Sequence, residues 1–444
     1  MKITKKNLIY SSIIIFLFLI ILIFYGAILR HHYSTNKTVD RFKTLQSIAV
    51  FFAEIPFKIK HGYLFKDQIT KYEKYKNKPK FKRYNDTSLE TLVILPRYDG
   101  DKKIPVVEIV DPSSFKVIHS YHHNFKTMNE QLVYKDEHKF SKKDYNKHPQ
   151  DYRNALVLKD GSLIAHSNYA PLFKLDICSN ILWVNQEEKF RHKITLDDEG
   201  NIWTATEMYP YSKTVKRYIK DHGLFSDDAI TKLDVEGNIL FSKSVLEILS
   251  ENNLADENFI NKKNPIYIND VEPTLTNSEY WEKGDLFISA KALSAIIHYR
   301  PSTNKVINYI KGPFFLQHDV NILSNYEISI FNNNNTLDDR SKYSEVLIYD
   351  FRNKTFKKKF NNQLIQNDFK TKTSGISRIL SDGSLYVEEQ REGRIIYFDK
   401  FGNKEWEFIN VDNNGDVYPI NWSRVIEDKK LIKSIIDKIN QKKC

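Results

Sequence analysis

Glycine supplies only 14 of the 444 residues and cysteine only two, Cys178 and Cys444. Two cysteines exclude a disulfide framework and clustered-thiolate zinc sites. Because Cys444 is the last residue, a bridge between them needs the tail to reach back to an early repeat, and the sequence leaves that pairing open. No glycine-rich phosphate loop and no serine-centred elbow is present, which argues against nucleotide and hydrolase-triad chemistry of the familiar kinds. The pairs His31-His32 and His122-His123 have no cysteine or carboxylate partner at ligand spacing, so no metal and no cofactor is expected. Scarce glycine also weakens glycine-based turn signals.

What is present is apolar and basic. Hydrophobic residues make up 41% of the chain, with 26 Tyr and 28 Phe, enough for a large core and unlike a disordered composition. Much of the net charge of +11 sits in Pro56–Glu90, rich in lysine from Lys58 to Lys82. Following a membrane segment, such an arm is suited to anionic lipid headgroups, and no nucleic-acid motif accompanies it.

That membrane segment is Leu8–Leu29, a run without a charge and long enough as a helix to cross the hydrocarbon core. Lys2, Lys5 and Lys6 precede it, so residues 1–7 are expected to stay cytoplasmic and the rest to be exported to the periplasmic or extracytoplasmic side. A cleaved signal peptide is the alternative; Ala27-Ile28-Leu29 lacks the small-x-small cleavage pattern, which favours an uncleaved single-pass anchor. Residues 30–90 follow as a linker, with the helical rhythm of Thr38–Lys60 ending at Pro56 and the basic arm beyond it.

From Thr91 a two-part phrase recurs. Its first part, a turn before an alternating strand, appears as LKDGSLIA from Leu158, LDDEGNIWTA from Leu196, EKGDLFISA from Glu282, LSNYEISIF from Leu323 and LSDGSLYV from Leu380. Its second part begins at Val106, Leu172, Ala229, Ala295, Val346 and Arg394, six copies spaced by roughly 50 to 65 residues. That spacing fits four-stranded blades, so residues 91–423 are expected to form an all-β, six-bladed β-propeller, followed by a C-terminal helix over 424–444. Insertions at His122–Pro149 and Pro210–Asp228 interrupt the rhythm.

A propeller brings equivalent blade positions together at the mouth of its channel. Ahead of the turn phrases stand Arg191-His192, Asn269-Asp270, Gln317-His318-Asp319 and Ser377-Arg378. Such a ring can neutralise an anion and offers imidazoles as nucleophile or acid and base. At these residues the chain resembles the bacterial arylsulfotransferases: YINDVEPT (Tyr267–Thr274), ISAKALSAIIHYR (Ile288–Arg300) and QHDVNILSNYEISIFNNN (Gln317–Asn334) look like successive blades of that family. The resemblance extends over most of Thr91–Arg424.

The resemblance implies an exported six-bladed propeller that moves a sulfuryl group from an aryl sulfate ester to a phenolic acceptor, without a nucleotide donor, through a histidine intermediate. It places the nucleophile on His318 and a second active-site histidine on His192. The family's His-x-Asn motif falls on Tyr267-Ile268-Asn269, keeping Asn269 and replacing the histidine by Tyr267. Its Ser-Arg motif falls on Ala290-Lys291, keeping the charge but not the bidentate fork. Arg378 completes the expected anion-binding set with Asn269, Lys291 and Tyr267. The rival reading is a non-catalytic propeller that binds an anionic ligand or a partner protein.

Overall fold

A computed structural model describes residues 5–35, 71–85, 90–123, 151–217, 225–255, 264–334 and 342–444, with isolated positions at 45, 48–53, 55 and 128. The chain separates into two compact units, one formed mainly by the first 68 residues and the other holding nearly all of the rest. In the first, helix α1 (Lys5–Thr35) includes the apolar window Ile13–Arg30, long and apolar enough to cross a membrane and with none of it buried. The expected helix of Thr38–Lys60 and the insertion at His122–Pro149 lie mostly outside the described residues.

The second unit is all-β in its described sheets and propeller-like. Strand β1 (Phe81–Arg83) is followed by β2 (Leu92–Asp99), β3 (Ile104–Asp111) and β4 (Lys116–Tyr121). Next come β5 (Arg153–Val157), β6 (Leu163–His166), β7 (Ala170–Leu175), β8 (Ile181–Leu196), β9 (Ile202–Glu207), β10 (Asp228–Leu233) and β11 (Ile239–Ser244), which form one seven-stranded sheet. A four-stranded sheet follows from β12 (Ile268–Pro273), β13 (Leu286–Ala290), β14 (Ala295–Arg300) and β15 (Lys305–Lys311). Another is built from β16 (Val320–Ile322), β17 (Glu327–Asn332), β18 (Glu345–Asp350) and β19 (Thr355–Lys359). Strands β20 (Ile376–Ile379), β21 (Leu385–Glu389), β22 (Arg394–Phe398) and β23 (Lys404–Ile409) take β1 as a fifth strand, while β24 (Arg424–Ile426) joins β2, β3 and β4.

The described strands thus form five sheets where six separate ones are expected, because β8 is 16 residues long and serves two hairpins. Its first part pairs with β7 and its last part with β9, with a register shift between Arg191 and Ile194. All six copies of the second phrase form antiparallel hairpins.

Packing explains the residue pattern of the strands. EVLIYD of β18 and RIIYF of β22 are buried along their whole length, as strands packed on both faces must be. The outermost strands, KVINYIK of β15 and TFKKK of β19, are half exposed, and their lysines discourage edge-to-edge pairing. Turns between the third and fourth strands are held by aspartates. The Oδ1 atoms of Asp176, Asp234 and Asp399 each accept backbone N–H groups two and four residues on. Glycine follows at positive φ in two of these turns, Gly237 and Gly402, and Ser179 (φ 68°) takes that place in the third. Among the described residues eighteen non-glycine residues have positive φ against nine glycines, which is how the fold turns so often with so little glycine.

Apolar clusters join sheet to sheet. One links β16–β19 to β20–β22 through Phe331, Val346, Leu385 and Ile396, and another links the last sheet back to the first through Tyr386, Trp406, Val93 and Leu95. The ring is closed by β24, whose Arg424, Val425 and Ile426 pair with Ile94, Val93 and Leu92. The tail expected to be helical from Arg424 therefore begins as a strand, because the first sheet lacks an inner strand without it. The helix α2 (Lys213–Lys216) lies in the insertion after β9, α3 (Val245–Glu251) follows β11 and α4 (Asn361–Gln366) follows β19. The terminal helix is α5 (Lys429–Gln441), started by Asp428, whose side chain accepts from Lys430 N and Leu431 N. Its Ile435 and Ile439 pack with Tyr121, Phe173 and Leu175. Beyond it Cys444 is disulfide-bonded to Cys178, with 5.4 Å between Cα atoms.

Candidate functional site

Six residues that lead into or begin the innermost strands share a left-handed backbone: Asn154, His192, Tyr267, Leu316, Ser374 and Trp422, with φ of 43°, 63°, 54°, 55°, 67° and 61°. Each such non-glycine residue is held at a cost of about 1 kcal/mol or more, so the surrounding structure must over-determine it. Side chains supply much of that constraint by bonding the next inner strand. Asn154 Oδ1 accepts Ile194 N, Asp228 Oδ2 accepts Ile268 N, Asp270 Oδ2 accepts Val320 N, Asp319 Oδ2 accepts Ser377 N, and Glu388 accepts Ser423 N.

His318 is buried, and its tautomer follows from its neighbours. Asn333 donates both amide hydrogens, to Thr371 O (3.0 Å) and Ser374 O (2.7 Å), so its Oδ1 must face the imidazole. Nδ1 of His318 lies 2.6 Å from that oxygen and 2.9 Å from Leu316 O, two acceptors, and therefore carries the proton. Nε2 is left with its lone pair, and it accepts the Ser374 N–H at 2.9 Å. Burial, reinforced by the charge of Lys291, pushes the His318 pKa down to about 3, so the ring is a neutral base at physiological pH.

His192 faces the same space. Its ring centroid is 5.6 Å from Trp422, whose indole also lies 6.1 Å from His318. Among the described residues neither ring nitrogen of His192 has a hydrogen-bond partner, although the residue is only 7% exposed. Burial first, then Arg191, holds its pKa well below the usual value. Buried polar atoms without partners cost about 1–3 kcal/mol each, which singles out His192 as a candidate site residue.

Around the imidazoles stand cations and aromatic rings. Lys291 Nζ is 3.5 Å from the centroid of the Tyr267 ring, and the Arg191 guanidinium is 5.1 Å from the same ring. Arg191 is fully buried, paired with Asp228 Oδ1 and bonded through Nη1 to Tyr169 Oη at 2.7 Å, while its Nε has no partner among the described residues. The Asp228 carboxylate strengthens the hold of Arg191 on its proton. Lys291 is pushed down to about 8 by burial and by the neighbouring arginines. Asn269 donates to Gln317 O at 2.8 Å, and its buried Oδ1 has no partner among the described residues. Gln317 in turn donates to Ala290 O and Ala295 O, tying the Lys291 turn to the His318 segment.

The expected residues divide in two. His192, Tyr267 and Lys291 gather with His318, and Asn269 is tied to the His318 segment through Gln317. Arg378 stands elsewhere, exposed and bonded to Asn321 Oδ1 at 2.7 Å. Asn321 belongs to a second buried cluster in which Lys193 Nζ meets Asp270 (2.9 Å), Asp319 (3.0 Å), Glu272 (3.0 Å) and Val320 O (3.1 Å). That cluster binds inner strands to one another with opposite charges. Trp422, Asn333 and Ser374 are site residues that the sequence patterns miss: Asn333 hides in an asparagine run, and Trp422 precedes a strand that reads as helix. Among the described residues no cluster could hold a metal ion.

A family model described as "Arylsulfotransferase (ASST)" matches residues 154–411, more than half of the chain, and this span includes His192, Tyr267, Asn269, Lys291 and His318. No curated protein matches in sequence. Among solved structures, a protein of unknown function from Bacteroides caccae is similar at 10% identity and TM-score 0.47, covering 76% of this chain and 100% of its own. Virginiamycin B lyase from Staphylococcus aureus, in a catalytically inactive form with quinupristin, is similar at 12% identity and TM-score 0.38, with 74% of this chain and 88% of that one covered.

Proposed function

From the premise that the chain belongs to the arylsulfotransferase family, we propose that it is an enzyme that transfers a sulfuryl group from an aryl sulfate ester to a phenolic acceptor through a sulfuryl-His318 intermediate. The observation that carries this reading is the tautomer of His318: Asn333 Oδ1 accepts the Nδ1–H hydrogen bond, so the lone pair for attack on sulfur sits on Nε2. Lys291, Asn269 and His192 stabilise the sulfuryl oxygens as charge develops, and Tyr267 and Trp422 offer ring faces to an aryl group. Ser374 N–H, which occupies Nε2, gives way to the sulfur as substrate enters. No cofactor is needed for these steps.

We further read the seven-stranded sheet as two blades fused through β8, which gives six blades, in keeping with six left-handed residues at the inner strands. The helix α1 serves as an uncleaved anchor with the enzyme on the extracytoplasmic side, and the Cys178–Cys444 bridge supports an oxidising compartment. To test the function, the full chain is incubated with 4-nitrophenyl sulfate and a phenol beside His318→Ala. Release of nitrophenol by wild type alone is expected; equal release by both proteins sinks the reading.

One observation favours a second reading. With Ser374 N–H held on Nε2, the site offers an anion the cations and His192 without an attacking group, as a binding propeller would. Binding of an aryl sulfate that survives His318→Ala, without turnover by wild type, identifies that case.

A further inference from the structure

Sulfuryl transfer between phenols needs a proton to move twice. The departing aryl oxygen must gain one, and the incoming phenol must lose one. His318 cannot supply it: Nε2 forms the bond to sulfur, and Nδ1–H is committed to Asn333. His192 is held neutral by burial, and a neutral imidazole is a very weak acid. Arg191 is locked to Asp228 and does not give up its proton, and Asn269 has none to exchange.

Lys291 remains. It opens a short 3-10 turn (Lys291–Leu293) after β13, and its N–H donates to Tyr267 O at 2.9 Å, which fixes the root of its side chain. Its Nζ lies over the Tyr267 ring at 3.5 Å, and no carboxylate among the described residues forms an ion pair with it. Other lysines in the same fold, such as Lys193, Lys232 and Lys243, are ion-paired. The groups that face it are Arg191 and Arg391, which disfavour its charge, Asp228, which favours it but is already shared by Arg191 and Ile268 N, and the neutral rings of His192 and His318.

We infer that Lys291 is the proton carrier of the reaction, a role the fixed charge of an arginine could not fill; this rests on the sulfuryl transfer proposed above. In the first half, the Nε2 lone pair of His318 forms the N–S bond while the S–O bond to the aryl group breaks. The bond pair leaves on oxygen, which takes a proton from the Lys291 ammonium and departs as a phenol. In the second half, the Lys291 amine takes the proton of the acceptor phenol. The acceptor oxygen forms the new S–O bond, the N–S bond breaks, and its pair returns to Nε2. The pKa of about 8 lets Lys291 serve in both directions near neutral pH.

The test compares a good and a poor leaving group in the full chain: 4-nitrophenyl sulfate, whose phenolate departs unaided, and 4-methylphenyl sulfate, whose phenolate needs the proton. Lys291→Arg keeps the charge and removes the exchangeable proton. It is expected to slow 4-methylphenyl sulfate about 100-fold or more and 4-nitrophenyl sulfate less than about 10-fold. Tyr267→Phe, which keeps the ring face, is expected to show no such selectivity. Equal losses on both substrates for Lys291→Arg, or the selective loss appearing in Tyr267→Phe instead, overturns the inference while leaving the transferase reading intact. Competitive acylation of the lysines, followed by mass spectrometry, reads Lys291 without turnover. Half-reaction near pH 8 supports the role, and an ordinary lysine value near 10.4 overturns it. A wild type that turns over neither sulfate brings down the transferase reading and the proton carrier with it, whatever the acylation result.

Discussion

Breaking the Cys178–Cys444 bridge should loosen the closure of the ring at a definite place. The bridge links positions 266 residues apart, and the chain-entropy relation for a loop of that length gives a ceiling of about 5.5 kcal/mol. The tail keeps other holds: Ile435 and Ile439 stay packed on Tyr121 and Phe173, Ser434 donates to Lys159 O, and Lys442 contacts His119. Those contacts persist in a Cys178→Ser, Cys444→Ser protein, and because an unfolded chain that retains structure delivers less than the ceiling, the expected loss is about 2–4 kcal/mol. Globular proteins unfold with about 2.1 cal/mol/K of entropy per residue, so over roughly 350 residues about 3 kcal/mol lowers Tm by about 4 °C. Scanning calorimetry of the two full chains measures the shift, and limited proteolysis should cut the variant first within α5, because a terminal helix docked by a few side chains opens before the sheets do. An unchanged Tm together with an uncut α5 would refute the view that the bridge secures the tail.

Asn333→Ala should lower kcat by about 100-fold with KM little changed, since it releases the His318 tautomer without removing a group that holds the anion; a fall in affinity alone contradicts this. Asp228→Asn leaves the Arg191 charge buried without its partner and should cost about 3–5 kcal/mol by urea unfolding, with a loss below about 1 kcal/mol counting against the buried pair as drawn. His318 and His166 have folded pKa values of about 3 and 4 against an ordinary value near 6.5, both lowered chiefly by burial. The unfolded chain binds protons that the folded one refuses, so their contribution is complete above pH 6.5 and is lost as pH falls from there toward 4. The difference in stability between wild type and His166→Gln should therefore shrink on going from pH 7.5 to pH 5, and a difference that grows would reverse the sign.

Hairpins were legible in this chain because their information is local. The phrase at Arg394 (RIIYFDKFGNKEWEF) carries its buried strand, its aspartate turn and its exposed strand within fifteen letters, and β22 and β23 follow it closely. The fusion at β8 was not legible, since KITL reads as the opening of a new blade and nothing local says that the preceding strand runs into it. Ring closure was illegible for the opposite reason. RVI at Arg424 has no hairpin partner nearby, and only the distant Leu92–Ile94 makes it a strand. At the site, His192, His318 and Asn269 could be picked out as polar residues ahead of turn phrases, whereas Lys291 was reached only through the family resemblance. Arg378 fits the same description and falls elsewhere: it lies three residues past Gly375 and sits beside Asn321 rather than beside His318.

The resemblance implies two departures from the family motif, Tyr267 for a histidine and Lys291 for an arginine, and they look independent in sequence, 24 positions apart. In the fold they meet as one unit, with the ammonium 3.5 Å from the ring centroid and the Lys291 N–H on Tyr267 O. A tyrosine offers a larger electron-rich face than an imidazole, and a lysine brings a compact cation that can lie on it. The cation is thereby held in place without a carboxylate that would repel an incoming sulfate. A double-mutant cycle with 4-methylphenyl sulfate should reflect that coupling: Tyr267→His is expected to depress kcat/KM by about 10-fold or more and Lys291→Arg by about 100-fold or more, and the pair together by less than the product of the two. Losses that simply multiply would mean that the two replacements arose and act separately, and that the stacked pair has no bearing on turnover.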